Sequence, residues 1–138
     1  MADDHSDAPF KLPGTYFTRY LGIQTNSPEP GRTVVTLEVQ PEHLNIAGAM
    51  HGGLFMTLLD TLMGHAVFTY LGNPAARFAT SSMTTHFLEA VRGGTLTGEG
   101  RVVKKGELYV AAEAELRDGE GRLAATAEAI FTMLRTES

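Results

Sequence analysis

The architecture of this chain can be predicted from residues 45–71, which have the sequence NIAGAMHGGLFMTLLDTLMGHAVFTYL. The segment opens with small, turn-forming residues and a His-Gly-Gly, and about twenty residues with almost no charge follow. Apolar side chains cover most of a helical wheel there, and a helix that is apolar nearly all round is normally buried. We therefore expect a core helix that ends at Gly72-Asn73-Pro74.

The polar residues of this predicted helix recur at spacings of three and four, so they form one narrow stripe: Thr57, Asp60, Thr61, Gly64 and His65. Burying a carboxylate such as Asp60 costs free energy unless it is paired or protonated. One interpretation is a membrane span, for which the segment is about long enough, although an acid at its midpoint would be costly. Asp60 could instead be a structural acid bonded to a backbone group or a Thr. The Gly-Gly before it and the hairpins after it favour a functional acid.

Length and composition limit the possible classes of protein. The chain has 138 residues, 43% hydrophobic and 20% charged, which fits one ordinary globular domain. A net charge of −5 and the lack of any Lys/Arg block argue against nucleic acid as the main partner. The chain has no cysteine, which excludes disulfides and thiolate chemistry, and its His residues lack metal-ligand spacing. The acidic N-terminus lacks a hydrophobic signal region, so a cytoplasmic location is expected.

The rest of the chain predicts a sheet. Residues 1–9 are expected to be a disordered tail and residues 10–138 a single domain. Residues 10–20 predict a short helix or turn that packs an aromatic face onto the body. Residues 21–25 predict a short strand, residues 27–31 a turn, and residues 32–40 a half-buried strand. Further strands are predicted over 78–88, 95–103, 108–117 and 123–134, with hairpin turns at 104–106 and 118–121.

The inward positions of the late strands are small, whereas the helix is rich in Leu, Met and Phe. These positions are Gly98, Gly100, Ala112, Ala114, Ala125, Ala127 and Ala129. A sheet lined with Gly and Ala forms a trough that a bulky helix can fill, because facing layers must complement each other. The predicted class is therefore α+β: an antiparallel sheet of five or six strands wrapped around one long central helix.

Together these residues resemble a known family. The pattern Asn45, Gly48, His51-Gly52-Gly53 and Asp60, followed by strands carrying Thr80 and Phe87-Leu88 and by two hairpins, is similar to the hotdog-fold acyl-CoA thioesterases of the PaaI-like branch. The resemblance spans about residues 21–134. It implies hydrolysis of acyl-CoA or aryl-CoA thioesters without a cofactor. It also implies a homodimer, often paired into a homotetramer, with active sites at the subunit boundary.

The resemblance assigns expected roles to individual residues. Asp60 matches the catalytic carboxylate, and Gly52 the residue whose backbone N–H polarises the thioester carbonyl. Asn45 matches a residue that orients the thioester or water, His51 the histidine that shapes the loop, and Thr80 a strand hydroxyl near the water. Two departures stand out: Gly64 replaces a Ser or Thr of some relatives, and Glu89-Ala90 replaces a common Pro.

The chemistry of thioester hydrolysis also favours a role for Gly52 and Gly53, because negative charge develops on the carbonyl oxygen. A helix N-terminus offers free N–H groups and about half a positive charge, and Gly52 and Gly53 would let a substrate approach the backbone. Charge-assisted contacts to CoA phosphates could come from basic residues, although a solvated strand edge and turn is the favoured explanation for them. The candidates are Arg92, Arg101, Lys104 and Lys105. His51 could likewise serve only the structure of its loop.

Helix geometry leads to a dimer independently of the resemblance. Asp60 follows Gly52 by eight residues, which is about 12 Å at a rise of ~1.5 Å per residue. One carbonyl group cannot lie about 3 Å from both groups of the same helix. If both groups are catalytic, they must belong to different subunits.

Three classes of function are compatible with a hotdog fold. The leading hypothesis is an acyl-CoA thioesterase, and the alternative is a non-catalytic acyl-CoA-binding module. A hotdog dehydratase or hydratase would use a His and an acid in a different motif, which this sequence lacks. The sequence does not identify the acyl group.

Overall fold

A six-stranded antiparallel sheet curls around one long helix in the computed structural model, which describes residues 14–134. The two helices are α1 (Tyr16–Leu21) and α2 (Gly52–Leu71), and a 3-10 turn spans Pro41–His43. The strands are β1 (Gln24–Glu29), β2 (Arg32–Glu38), β3 (Phe78–Phe87), β4 (Thr95–Lys105), β5 (Tyr109–Arg117) and β6 (Leu123–Met133). Their order across the sheet is β1-β2-β4-β5-β6-β3. The predicted α+β class and the six-strand sheet around one helix are confirmed.

Helix α2 forms the centre of the core. It ends at Gly72, which adopts a left-handed conformation with φ 63° and thus stops the helix where the sequence predicted. By length and apolar composition α2 could cross a membrane, but one side of it is buried against the sheet of this fold. The buried residues are Leu54, Phe55, Leu58, Leu59, Leu62, Met63, Ala66, Val67 and Thr69.

The other side of α2 is not covered by residues 14–134 of the same chain. Met56 and Tyr70 are exposed there, and the predicted polar stripe is half-buried. The expectation of a helix buried all round is therefore wrong for the isolated chain. A helix with apolar residues on its uncovered side is typical of a surface that meets a partner.

The small residues of the sheet bring α2 into direct contact with β4. A Cβ atom added at Gly100 would lie 2.8 Å from Leu62 Cβ and 2.9 Å from the Leu62 carbonyl oxygen. At Gly98 an added Cβ would meet Leu116 Cδ2 and the Glu115 carbonyl oxygen of β5 at 2.5 and 2.8 Å, and Leu62 Cδ1 at 3.1 Å. The alanines of β5 and β6 predicted to face inward are all buried. The helix therefore rests on the backbone of the sheet, as the size pattern predicted.

Strand β3 forms one edge of the sheet and contains an irregularity. Thr80 is paired with Phe131 of β6, whereas Ser82 is paired with the preceding residue, Ile130, so Ser81 is an extra residue. A bulge of this kind changes which side chains of a strand point inward. Thr80 before the bulge and Met83 after it are both paired with buried residues of β6, Phe131 and Ala129.

Two local expectations are wrong. The aromatic face of α1 does not pack onto the body, since Tyr16 and Tyr20 are 88% and 87% exposed. Residues 27–29, predicted as part of a turn, continue β1. A proline is tolerated in β1 because this strand lies at the other edge of the sheet. The predicted tail at residues 1–9 and the start of the predicted N-terminal helix lie outside the described residues.

The contact between α2 and β4 predicts the effect of one added methyl group. Gly100→Ala should lower the free energy of unfolding by about 1–3 kcal/mol, because the new Cβ overlaps the Leu62 backbone. Gly93→Ala is the matched control, since a Cβ there meets nothing within 4 Å. Urea unfolding of both variants would measure the difference. Equal stability of the two variants would contradict direct packing of helix on sheet.

Candidate active site

Asp60 meets Thr80 where the middle of α2 faces the edge strand β3. The Thr80 hydroxyl donates a hydrogen bond of 2.8 Å to Asp60 Oδ1. Among the described residues, no Lys or Arg forms an ion pair with Asp60. The bulge at Ser81 lies directly after Thr80. Asp60 is therefore held by a hydroxyl on one oxygen, and no cation neutralises it.

A cleft of about 390 Å³ opens beside this pair. It extends along α2 away from the helix N-terminus and has mostly apolar walls. Its lining residues are Asp60, Thr61, Gly64, His65, Phe68, Phe78, Ala79, Thr80 and Phe131. The rings of Phe78 and Phe131 pack edge to face, with their centroids 5.9 Å apart. An acid at the mouth of an apolar cleft is a common arrangement for binding a largely apolar substrate.

The N-terminus of α2 is open. His51 is the N-cap residue, its side chain makes no capping bond, and its carbonyl accepts from Leu54 and Phe55. Within residues 14–134, the N–H groups of Gly52 and Gly53 have no backbone acceptor. A Cβ at Gly53 would meet nothing within 4 Å, and one at Gly52 would meet only the exposed Phe87 ring, 3.6 Å away. Two N–H donors and the positive helix end are thus accessible to a ligand.

Asn45 organises the loop that leads into this N-terminus. Its side-chain Oδ1 accepts hydrogen bonds from the backbone N–H groups of Ala47 and Ala49, at 2.9 and 3.1 Å. Arg92 Nη1 donates to the Ala47 carbonyl at 2.9 Å, so Arg92 lies at the same end of the helix. The Oδ1 of Asn45 is therefore used by the loop, and its amide nitrogen is the group that could reach a ligand.

The predicted site residues thus form two separate groups in one chain. Asp60 and Thr80 lie at the middle of α2. Asn45, His51, Gly52 and Gly53 lie at or before its N-terminus. Helix α2 is unbroken from Gly52 to Leu71, so the separation of about 12 Å expected from the helical rise applies. One chain alone does not bring the carboxylate and the helix end together.

The remaining predicted CoA contacts lie elsewhere on the sheet. Arg101 Nε is 2.7 Å from Glu113 Oε2, and two further glutamates lie within 3.8 Å of the Arg101 guanidinium. Lys105 is paired with Val110, Val110 with Phe131, and Phe131 with Thr80, so Lys105 and Thr80 lie in one row across the sheet. Three strand spacings separate the two residues, about 14 Å. The carboxylates around Arg101 make it a poor phosphate ligand, whereas Lys104 and Lys105 are exposed.

Two features of the cleft were not predicted as functional. His65 was assigned only to the polar stripe, yet it lines the cleft with Asp60. The bulge at Ser81 leaves no sequence signal, because Thr80, Ser81 and Ser82 all suit a strand.

Among residues 14–134, no group of three His, Asp or Glu side chains could hold a metal ion.

Comparisons with known proteins agree with this geometry. The model of the thioesterase superfamily matches residues 47–125. A Saccharolobus solfataricus protein provisionally named an esterase is 33% identical over 119 residues, 86% of this chain and 84% of that protein. Human acyl-coenzyme A thioesterase 13 is 32% identical over 93 residues, which cover 66% of this chain and 65% of the human protein.

Solved structures of other proteins share this arrangement of sheet and helix. A Bacillus halodurans protein crystallised with CoA superposes with a TM-score of 0.82 at 28% identity, covering 92% of this chain and 83% of that one. The architecture is the hotdog fold expected from the resemblance. The chain belongs to the thioesterase superfamily.

The burial of His65 predicts a pH dependence of stability. Desolvation lowers the pKa of His65 below its usual value, and the charge of Asp60 opposes this shift only in part. The unfolded chain therefore binds a proton at His65 at a higher pH than the folded chain does. Stability should fall as the pH drops below about 6.5, the usual histidine pKa, towards the folded value.

His65→Leu removes this contribution, so its stability should fall less steeply between about pH 7 and pH 5. Urea unfolding at a series of pH values would measure both slopes. His86→Leu is the control, since His86 is an exposed histidine of β3. Parallel curves for wild type and His65→Leu would contradict a buried, neutral His65.

Proposed function

We propose that this protein hydrolyses acyl-CoA or aryl-CoA thioesters to the free acid and CoA. Asp60 either activates a water or attacks the acyl carbon itself, and both routes begin from the same carboxylate. On the first route water adds to the acyl carbon, the C–S bond breaks, and CoA leaves as the thiol with the proton that Asp60 took from the water. On the second route the attack by Asp60 breaks the C–S bond and releases CoA as the thiol, and water then hydrolyses the anhydride between the acyl group and Asp60. The names of the human relative and of the CoA-bound structure support a CoA thioester as the substrate.

The observation that carries this proposal is the hydrogen bond from Thr80 to Asp60 at the mouth of the apolar cleft. It orients one carboxylate oxygen and leaves Oδ2 for a water or for the acyl carbon. A structural acid in a core would instead be satisfied on both oxygens or paired with a cation. Asp60 also borders a space large enough for an acyl group.

Hydrolysis needs donors for the carbonyl oxygen as well, since negative charge develops there. The accessible N–H groups of Gly52 and Gly53 suit this role. Because they lie about 12 Å from Asp60 along one rigid helix, we assign them to the partner subunit of a dimer. Each complete site then combines Asp60 and Thr80 of one subunit with Gly52, Asn45 and His51 of the other.

Strand β3 is the surface best suited to form this dimer. Its outer edge has no partner strand in the described chain, and an unpaired edge is a template for pairing. Two copies related by a two-fold axis near the middle of β3 would extend the sheet and place their α2 helices antiparallel. The N-terminal part of one helix then approaches the middle of the other. The exposed Met56 and Phe87 would be covered by this contact.

Asp60→Asn is expected to lower kcat on an acyl-CoA substrate by about 10²–10⁴-fold, because the amide cannot accept a proton or attack the thioester. Release of CoA, followed with a thiol reagent over a panel of acyl- and aryl-CoA thioesters, would measure the loss. Turnover that is indifferent to Asp60 would contradict the assigned role. Tight binding of CoA thioesters without any turnover would instead support the non-catalytic binding module.

Thr80→Val tests the hydroxyl separately from the carboxylate. The variant keeps the shape of the side chain, so a loss of about tenfold in kcat is expected for one missing hydrogen bond. Thr80→Ser should recover most of the activity, since it restores the donor. If Thr80→Val and Thr80→Ser behave alike, the hydroxyl does not position Asp60.

Sites shared between subunits can be tested by mixing two inactive variants. Asn45→Asp retains an oxygen for the N–H groups of Ala47 and Ala49 but removes the amide donor. A heterodimer of Asp60→Asn with Asn45→Asp contains one site with both changes and one site with neither. Heterodimers purified through two different tags should therefore show about half of the wild-type activity.

The two parent homodimers, purified in the same way, are the controls for this experiment. Activity no greater than the mean of the two parents would contradict shared sites. A wild-type protein that is active and sediments as a monomer would contradict them as well.

A further inference from the structure

The half-buried His65 differs from the buried His43 in the hydrogen bonds that its ring makes. His43 has partners on both ring nitrogens: Nδ1 accepts from Gln40 N at 2.9 Å, and Nε2 donates to the Leu21 carbonyl at 2.9 Å. The Nδ1 of His65 is buried and has no partner among residues 14–134. Buried polar atoms are normally paired. His43 thus has the bonding expected of a structural histidine, whereas His65 does not.

The side chain of His65 lines the cleft that we assign to the substrate. It follows Asp60 by five residues, so it lies about 7.5 Å farther along α2 at ~1.5 Å per residue. The cleft there is mostly apolar, lined by Gly64, Phe68, Phe78 and Phe131, with Thr61 one helical turn before His65. A Cβ at Gly64 would touch the Phe131 ring at 3.8 Å, so the absent side chain leaves room there. His65 therefore places an imidazole towards the end of the cleft that is farther from Asp60.

The ring is suited to hydrogen bonding and not to proton transfer at the thioester. Burial lowers its pKa, so at neutral pH the ring is uncharged and carries one N–H and one lone pair. Only Nδ1 of the ring is a buried atom without a partner, and His65 lines the cleft, so Nε2 is the ring nitrogen that we assign to a ligand. No hydrogen bond joins His65 to Asp60 in the described chain, and the helical rise separates the two residues.

We propose that His65 is a specificity-determining residue: its imidazole hydrogen-bonds an oxygen substituent, a hydroxyl or carbonyl, near the far end of the acyl group. The inference rests on the proposed function, which places the thioester at Asp60. An apolar cleft alone discriminates weakly against an added hydroxyl. An imidazole towards the far end of a mostly apolar cleft makes the substituted acyl group the better substrate, because only that group replaces the hydrogen bond that the ring loses with water.

Two pairs of substrates test this assignment on the intact protein: benzoyl-CoA with 4-hydroxybenzoyl-CoA, and hexanoyl-CoA with 6-hydroxyhexanoyl-CoA. The measured quantity is the ratio of kcat/KM for the hydroxylated member to that for its plain partner. Wild type should favour the hydroxylated member of at least one pair by about tenfold, the factor expected for one hydrogen bond. His65→Leu should reduce that ratio to about one, and His65→Gln should retain part of it.

Phe68→Leu is the matched control, because it changes the shape of the same cleft without removing a polar atom. Its ratio should stay near that of wild type. Thermal unfolding adds a second readout: His65→Leu should be at least as stable as wild type at pH 7, whereas loss of a structural histidine would lower stability. If His65→Leu does not fold, His65→Phe is measured in its place.

The outcomes separate this inference from the proposed function. Turnover that depends on Asp60, with the same ratio in wild type and in His65→Leu, overturns the role of His65 and leaves the thioesterase proposal standing. A wild-type ratio near one for both pairs also overturns it. Absence of any turnover that depends on Asp60 overturns both.

Discussion

Helix α2 lies directly on the backbone of β4, because Gly98 and Gly100 place no side chain between Leu62 and the sheet. This contact fixes the position of a rigid helix of 20 residues and thereby the position of every group on it. It turns Asp60 towards β3, where Thr80 meets it, and directs His65 into the same cleft. It also leaves the N-terminus of the helix, with Gly52 and Gly53, open to a ligand.

The rigidity of α2 leads to the proposed mechanism. A carboxylate and a pair of N–H donors are both present, but about 12 Å of helix keeps them apart in one chain. The edge of β3, which no described strand covers, and the exposed Met56 and Phe87 suggest how a second copy brings them together. On this account the dimer completes the active site. Hydrolysis needs N–H donors at the carbonyl oxygen and a base or nucleophile beside the acyl carbon of the same thioester.

The parts of the structure that were predicted from the sequence follow from strong local patterns. The helix has a long apolar run with a glycine stop, and the sheet shows alternation with small residues on one face. The parts that were missed depend on tertiary context. Residues 27–29 have the composition of a turn, yet they extend an edge strand that tolerates Pro28. The bulge at Ser81, and an Nδ1 of His65 that finds no partner in the described part of the chain, depend on the register and packing of β6 and α2, which no short segment specifies.

A structure of the protein with a non-hydrolysable CoA thioester analogue would test the central claim most directly. The account predicts that the analogue's carbonyl oxygen lies about 3 Å from the Gly52 N–H of one subunit, with Asp60 and Thr80 of the other subunit beside its acyl carbon. An analogue whose carbonyl group is contacted by one chain alone, or that lies away from Asp60, would contradict it.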